Sequence, residues 1–158
     1  MIMIKRILKR KLLVLALLAV IFTASAQNNR YIVNHKAIAA VLSETYGIPA
    51  SVILAVAAVE SSGGAAPTAK VLNNHFGMVG SNSYVNRHGH KSRYKQYGSV
   101  YASYIDFCKV VTRKRFYAKL KDNDDPQVWV KALSRCGYSE LPAQWEQKVF
   151  SVLSSNKL

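Results

Sequence analysis

The sequence predicts a mainly α (α+β) domain, a helical lobe carrying a small β-hairpin lobe that flanks a cleft. Three observations lead there. Most of the chain after residue 34 repeats apolar residues at spacings of three and four, the period of a helix with one buried face. The interval Met78 to Tyr97 breaks that period with Gly, Asn, Ser, Tyr, His and basic residues around the turn "NRHGHK", and reads as two short strand-prone segments. No internal repeat, linker or low-complexity tract divides the chain.

Residues 1–26 have the layout of a signal peptide. Lys5, Arg6, Lys9, Arg10 and Lys11 form a basic head, an apolar stretch of 11 residues follows from Leu12 to Phe22, and Ala24-Ser25-Ala26 is a small-x-small cleavage site. That stretch is well short of the roughly 20 residues a membrane-spanning helix needs. The expected protein is therefore exported, periplasmic or secreted, with no stable membrane anchor after cleavage. No cysteine follows the cleavage site, so lipid attachment is not indicated. Cleavage leaves 132 residues, one domain on the usual length scale, and removes five basic residues, lowering the net charge from +14 to +9. A basic exported domain calls for an anionic partner outside the cytoplasm, which argues against nucleic acid. Bacterial wall polymer, acidic lipid headgroups and anionic polysaccharide all fit.

Residues 27–36 read as a short N-terminal segment before a domain at 37–155. From His35 to Tyr46, Ile38, Val41, Leu42 and Tyr46 keep helical spacing, and Gly47 is a C-terminal stop. Pro49 suits the first turn of the next helix, which is apolar from Val52 through Val59 and ends at Glu60 before Gly63-Gly64. After the hairpin interval, Ser99 is placed to cap a helix whose stripe is Tyr101, Tyr104, Ile105, Cys108 and Val111. "KDNDDPQ" interrupts it, Asp125-Pro126 starts another helix through Trp129, Val130 and Leu133, and "CGYSELP" is a loop before a last helix from about Ala143 to Ser154. Cys108 and Cys136 are a candidate disulfide in an oxidising compartment, one that would stabilise by roughly 3 to 4 kcal/mol in the chain-entropy model. A thiol nucleophile is the competing reading, with no local signature near either cysteine.

Glu60 is the one carboxylate on an otherwise apolar helix. Burial, the carbonyl end of the helix and the lack of a basic residue within one turn in sequence would all raise its pKa. A carboxylic acid kept protonated near neutral pH can hand its proton to a leaving oxygen, so Glu60 is a candidate general acid. A solvated helix-end glutamate, or one paired with a distant cation, is the bland alternative.

Five stretches carry a resemblance: "AxxxxxxYGIPxSVxLAxxxxESSGG", "NNHFGMVG", "RYKQYGSVYASYIDF", "FYAKL" and "GYSELP", in that order. Together they resemble the glucosaminidase family, glycoside hydrolase family 73, which includes flagellar peptidoglycan hydrolases and autolysins, over about Ala37 to Leu153. The resemblance implies a lysozyme-like fold and cleavage of the β-1,4 bond between N-acetylglucosamine and N-acetylmuramic acid in peptidoglycan or a related glycan. It places the general acid on Glu60 and the family's catalytic-site tyrosine on Tyr138, and it implies Asn73, Asn74, Phe76 and Gly77 as substrate-side residues. Phe76, Tyr84 and Tyr138 are aromatics suited to sugar faces, and Tyr84 and Tyr97 join the substrate-binding set. Each of these has a purely structural reading as core or turn residue. A monomer without a cofactor is expected.

The chain departs from the family in two places. Many members carry a second acid in the β lobe, but no Asp or Glu occurs from Ser61 to Ile105, and Ser83 stands beside Tyr84. Asp106 is the nearest candidate and reads as structural. The remaining route is substrate assistance, in which the 2-acetamido group attacks the anomeric carbon while Glu60 protonates the leaving oxygen and Tyr138 orients the acetamide. The family's "GYATDPxYA" is here "GYSELPAQW", which leaves the role of Trp145 open. Lys70, Arg87, Lys91, Arg93 and Lys95 make the lobe basic, fit either to hold an anionic strand or to form a solvated surface. His88 and His90 lack a third ligand, and no metal is expected. The alternatives are a wall-glycan-binding scaffold that lost turnover with the second carboxylate, and a cysteine-dependent amidase or peptidase.

Overall fold

A computed structural model describes residues 27–84 and 91–158. The expected signal peptide, residues 1–26, and Arg87, His88 and His90 lie outside the described residues. Helix α1 covers residues 27–46, followed by α2 (Ala50–Glu60), α3 (Pro67–Leu72), α4 (Val100–Thr112), α5 (Tyr117–Leu120), α6 (Pro126–Arg135) and α7 (Pro142–Ser155). Because α2 has no polar face, Val52 to Ala58 are all buried, and the helix runs through the core with α6 and α7 packed on it. The junction between α1 and α2 is tight. Gly47 has φ +60°, and a Cβ there would run into the Asp122 and Lys121 side chains, so only glycine makes the turn without strain.

The Ser99 and Asp125-Pro126 signals hold to the residue, whereas Pro49, expected in the first turn of α2, is the residue just before it. The Ser99 hydroxyl accepts from the Ala102 amide at 3.1 Å, and Asp125 Oδ1 accepts from the Gln127 amide at 2.8 Å. Three expectations are corrected. The first helix does not start at His35: α1 already includes residue 27, because Tyr31 and Ile32 extend the buried stripe backwards through Ala39 and Leu42. Val41 and Tyr101, expected to face inward, are 51% and 43% exposed. Helix α3 separates α2 from the polar interval, its start marked by Pro67 in the first turn.

The expected β hairpin reduces, among the described residues, to one antiparallel bridge between Val79 and Tyr94. Asparagine side chains do most of the remaining tying. Asn82 Nδ2 donates to the Ser92 and Tyr94 carbonyls (2.7 and 2.6 Å), and Asn74 Nδ2 to those of Met78 and Lys95 (both 2.8 Å). Amide side chains that satisfy carbonyls from outside a ladder compete with regular pairing, so a strand-prone composition yields an irregular lobe.

Cys108 and Cys136 are free thiols, which corrects the expected disulfide. Cys108 is fully buried on the inner face of α4, and burial pushes its pKa up to about 12, so it is not a nucleophile near neutral pH. Cys136 caps α6 and its Sγ donates to the Leu133 carbonyl at 3.0 Å.

A buried polar cluster joins α1, α4 and the segment after α3. The Tyr31 hydroxyl lies 2.6 Å from His75 Nδ1 and 2.7 Å from the Tyr104 hydroxyl, and the His35 ring stacks on Tyr31. This chain is satisfied when His75 is neutral and its Nδ1 accepts. Burial, with the neighbouring His35, lowers the His75 pKa to about 4. The unfolded chain takes up this proton near pH 6.5 and the native state only near 4, so stability is lost as pH falls through that window. After allowance for solvent screening the loss is about 2 kcal/mol. Urea unfolding at pH 7 and pH 4.5 is expected to show it, and His75→Gln should flatten the difference; equal slopes in both proteins would refute the assignment.

Candidate active site

Glu60 closes α2 and sits where the apolar helix reaches solvent, at a cavity of about 400 Å³ whose lining includes Arg93, Ser139, Glu140, Trp145 and Lys148. The Trp145 indole Nε1–H donates to Glu60 Oε1 at 2.6 Å. On the other side, a Cβ on Gly77 would stand 3.6 Å from Glu60 Oε2, so the carboxyl group is held between the α7 indole and the loop after α3. Burial raises the Glu60 pKa; the Trp145 hydrogen bond and the charge of Lys148 lower it but do not cancel that effect. The expected direction is therefore met, with one correction: a cation absent from the neighbouring sequence is supplied across space by α7.

Tyr138 lies beside this acid. Its ring is 5.3 Å from that of Trp145, and its hydroxyl points to the Phe76 carbonyl at a long 3.4 Å. Burial first, then the Glu60 charge, keeps the phenol protonated, so it is a neutral hydroxyl, able to donate and to accept, and not a base.

The remaining sequence-derived residues occupy two settings. Gly77 lies next to the acid, with room for no more than a Cβ before Glu60 Oε2, and Phe76 contributes its backbone carbonyl while its ring is buried, stacked at 4.2 Å on Phe107. Asn73 ends α3 with φ +51° and donates to the Tyr97 carbonyl at 3.1 Å. Asn74 is fully buried, with its Oδ1 receiving the Met78 amide at 3.0 Å. Tyr97 is buried and donates to Asp106 Oδ2 at 2.6 Å, and Lys95 Nζ reaches the same oxygen at 2.9 Å. These residues shape the loop that carries Gly77 to the acid. Burial pushes the Asp106 pKa up, but the Tyr97 and Lys95 hydrogen bonds and the Arg113 charge outweigh it and hold the carboxylate ionised, an anchor in keeping with its structural reading. Tyr84 is half-exposed at the end of the described lobe, and the Ser83 hydroxyl donates to Gln96 Oε1 at 3.1 Å.

Sequence reasoning missed Glu140, Lys148 and the use of Trp145. Glu140 is a second carboxylate lining the same cavity, supplied by the loop before α7 and not by the β lobe. Among the described residues no cluster of His, Cys, Asp or Glu is arranged to hold a metal, and no helix is long and apolar enough to cross a membrane.

Residues 36–158 match the family model described as mannosyl-glycoprotein endo-beta-N-acetylglucosaminidase. No curated protein matches the chain. Among solved structures, the glycoside hydrolase domain of FlgJ from Salmonella typhimurium is similar at 23% identity and a TM-score of 0.66, over 82% of this chain and 88% of that one. The catalytic domain of the autolysin Auto from Listeria monocytogenes is similar at 20% identity and a TM-score of 0.67, over 83% and 85%. A peptidoglycan hydrolase from Sphingomonas sp. A1 is similar at 21% identity and a TM-score of 0.65, over 82% and 89%. At these identities the likeness is one of fold.

Proposed function

The chain belongs to the glucosaminidase family of glycosidases, and on that premise we propose that it is an exported peptidoglycan hydrolase, an endo-β-N-acetylglucosaminidase with Glu60 as general acid. The observation that carries this reading is the state of Glu60: a carboxyl group at the end of an apolar helix, with its pKa raised by burial, open to a cavity of about 400 Å³. A protonated acid beside a polar cleft is what departure of a sugar oxygen requires.

The reaction runs by substrate assistance. Glu60 gives its proton to the glycosidic oxygen as the carbonyl oxygen of the 2-acetamido group attacks C1, so the C1–O bond breaks and a bicyclic oxazolinium forms. The Tyr138 hydroxyl oxygen accepts from the acetamide N–H, which orients the group and sets a lone pair against its developing positive charge. Water then adds to C1, its proton returns to the Glu60 carboxylate, and the acetamide is released with retained configuration. Glu140 offers a second reading, since its place in the same cavity would let it act as nucleophile or base.

Peptidoglycan incubated with the protein lacking residues 1–26 is expected to release muropeptides bearing a new reducing N-acetylglucosamine end, seen by mass spectrometry. Wall binding without any soluble product would move the assignment to a non-catalytic glycan-binding protein.

A further inference from the structure

A larger hollow, about 930 Å³, lies against the site between the start of α1, the end of α2 and the outer face of α7. It shares Val59, Gln144 and Lys148 with the Glu60 cavity, so the two adjoin along that edge. On α7, Gln144, Gln147, Lys148 and Ser151 recur at helical spacing and are exposed on one face, while Val149 on the other is buried in the core. Gln27 and Asn28 of α1 complete the wall.

The lining is unusual for a sugar site. It holds four carboxamides and one cation and no carboxylate or aromatic ring. Gln27 Nε2 donates to the Ser62 and Gly63 carbonyls at 3.0 and 3.4 Å. The other carboxamides can donate and accept at once, matching the alternating N–H and C=O groups of a peptide backbone, and a lone lysine matches a carboxylate. An aromatic ring, which suits the apolar face of a sugar, is missing there, whereas Trp145 is among the residues lining the cavity at the acid itself. The volume is within the range of sites that enclose a ligand of several residues.

Resting on the glycosidase reading above, we propose that this hollow binds the acidic peptide carried by the wall glycan, so that the protein acts on peptide-bearing strands in preference to bare ones. Lys148, at the shared edge, takes a peptide carboxylate and registers the strand on Glu60.

The test compares one glycan preparation with and without its peptides, removed by an amidase. Peptide-bearing strands are expected to be cleaved with kcat/KM about tenfold higher, the size of one to two net polar contacts. Ser151→Trp, which fills the hollow from an exposed position, and Gln147→Ala are expected to abolish that preference and leave cleavage of bare strands unchanged. Equal rates on both substrates, or a preference that survives Ser151→Trp, would overturn the proposal. A binding measurement separates it from the parent reading. In calorimetry, Glu60→Gln is expected to bind the peptide-bearing disaccharide about tenfold more tightly than the same disaccharide without peptide, and to lose that margin when Ser151→Trp is added. Failure of the unsubstituted protein to cleave any strand would sink the glycosidase assignment while this margin still decided the peptide site; equal affinities would overturn the peptide site alone.

Discussion

Glu60→Gln is expected to lower glycan cleavage by about a thousandfold while leaving the folded protein as stable as before, or more so, at neutral pH. The rate effect follows from chemistry: an amide accepts hydrogen bonds but has no proton to give to a leaving oxygen. The stability effect follows from geometry. Glutamine keeps an oxygen where Glu60 Oε1 receives the Trp145 indole N–H, so no buried donor is orphaned. It also removes a linkage penalty. Because burial raises the native pKa of Glu60, the folded state holds this proton to higher pH than the unfolded chain, and stability falls as pH rises through that interval. An uncharged isostere abolishes that loss. The pH profile gives a second reading of the same group: the alkaline limb of kcat is expected above the ordinary carboxylate range, because the acid must be protonated to act. Rates on a soluble glycan fragment across pH, with thermal melts of both proteins, check all of this. A variant that keeps more than a few per cent of the rate, or that melts far earlier, would return Glu60 to a structural role.

Glu60 was legible in the sequence because its anomaly is local: a single carboxylate ending eight apolar residues cannot be absorbed by the pattern around it. Its partner was not. Trp145 lies 85 residues away and meets Glu60 only through the packing of α2 on α7, a contact that no spacing within either helix encodes. Glu140 and Lys148 arrive by the same route, so neither the absence of an acid from Ser61 to Ile105 nor the lack of a basic residue within one turn of Glu60 describes what surrounds it in space. Caps and proline starts were readable because one residue and its next turn decide them. Pairing in the polar lobe was not, since Asn74 and Asn82 take backbone partners up to 21 residues distant, and among the described residues a single bridge stands where a composition rich in Tyr and Ser suggested two strands. The helix faces were read correctly at Tyr104, Cys108 and Leu133, where neighbouring elements press on the stripe, and wrongly at Val41 and Tyr101, which lie at its edge.

The choice between substrate assistance and a second protein carboxylate turns on two side chains that flank the same acid. If the acetamide is the nucleophile, Tyr138→Phe is expected to lower kcat by about a hundredfold, the usual cost of removing one hydrogen-bonding group aimed at developing charge. Phenylalanine fills the same space against Trp145 and Phe107, and the hydroxyl it deletes has only a long contact with the Phe76 carbonyl, so the fold is expected to tolerate it. Glu140→Gln should then change kcat by less than about tenfold, because no covalent bond or proton passes through it. Opposite magnitudes would make Glu140 the second carboxylate. Product stereochemistry separates its two roles, since a nucleophile retains the anomeric configuration and a base acting on water inverts it. Proton NMR of the freshly released reducing end therefore decides more than either variant alone: inversion excludes the acetamide route outright, and retention with an intact rate in Glu140→Gln leaves Glu60 as the only protein carboxylate the reaction uses.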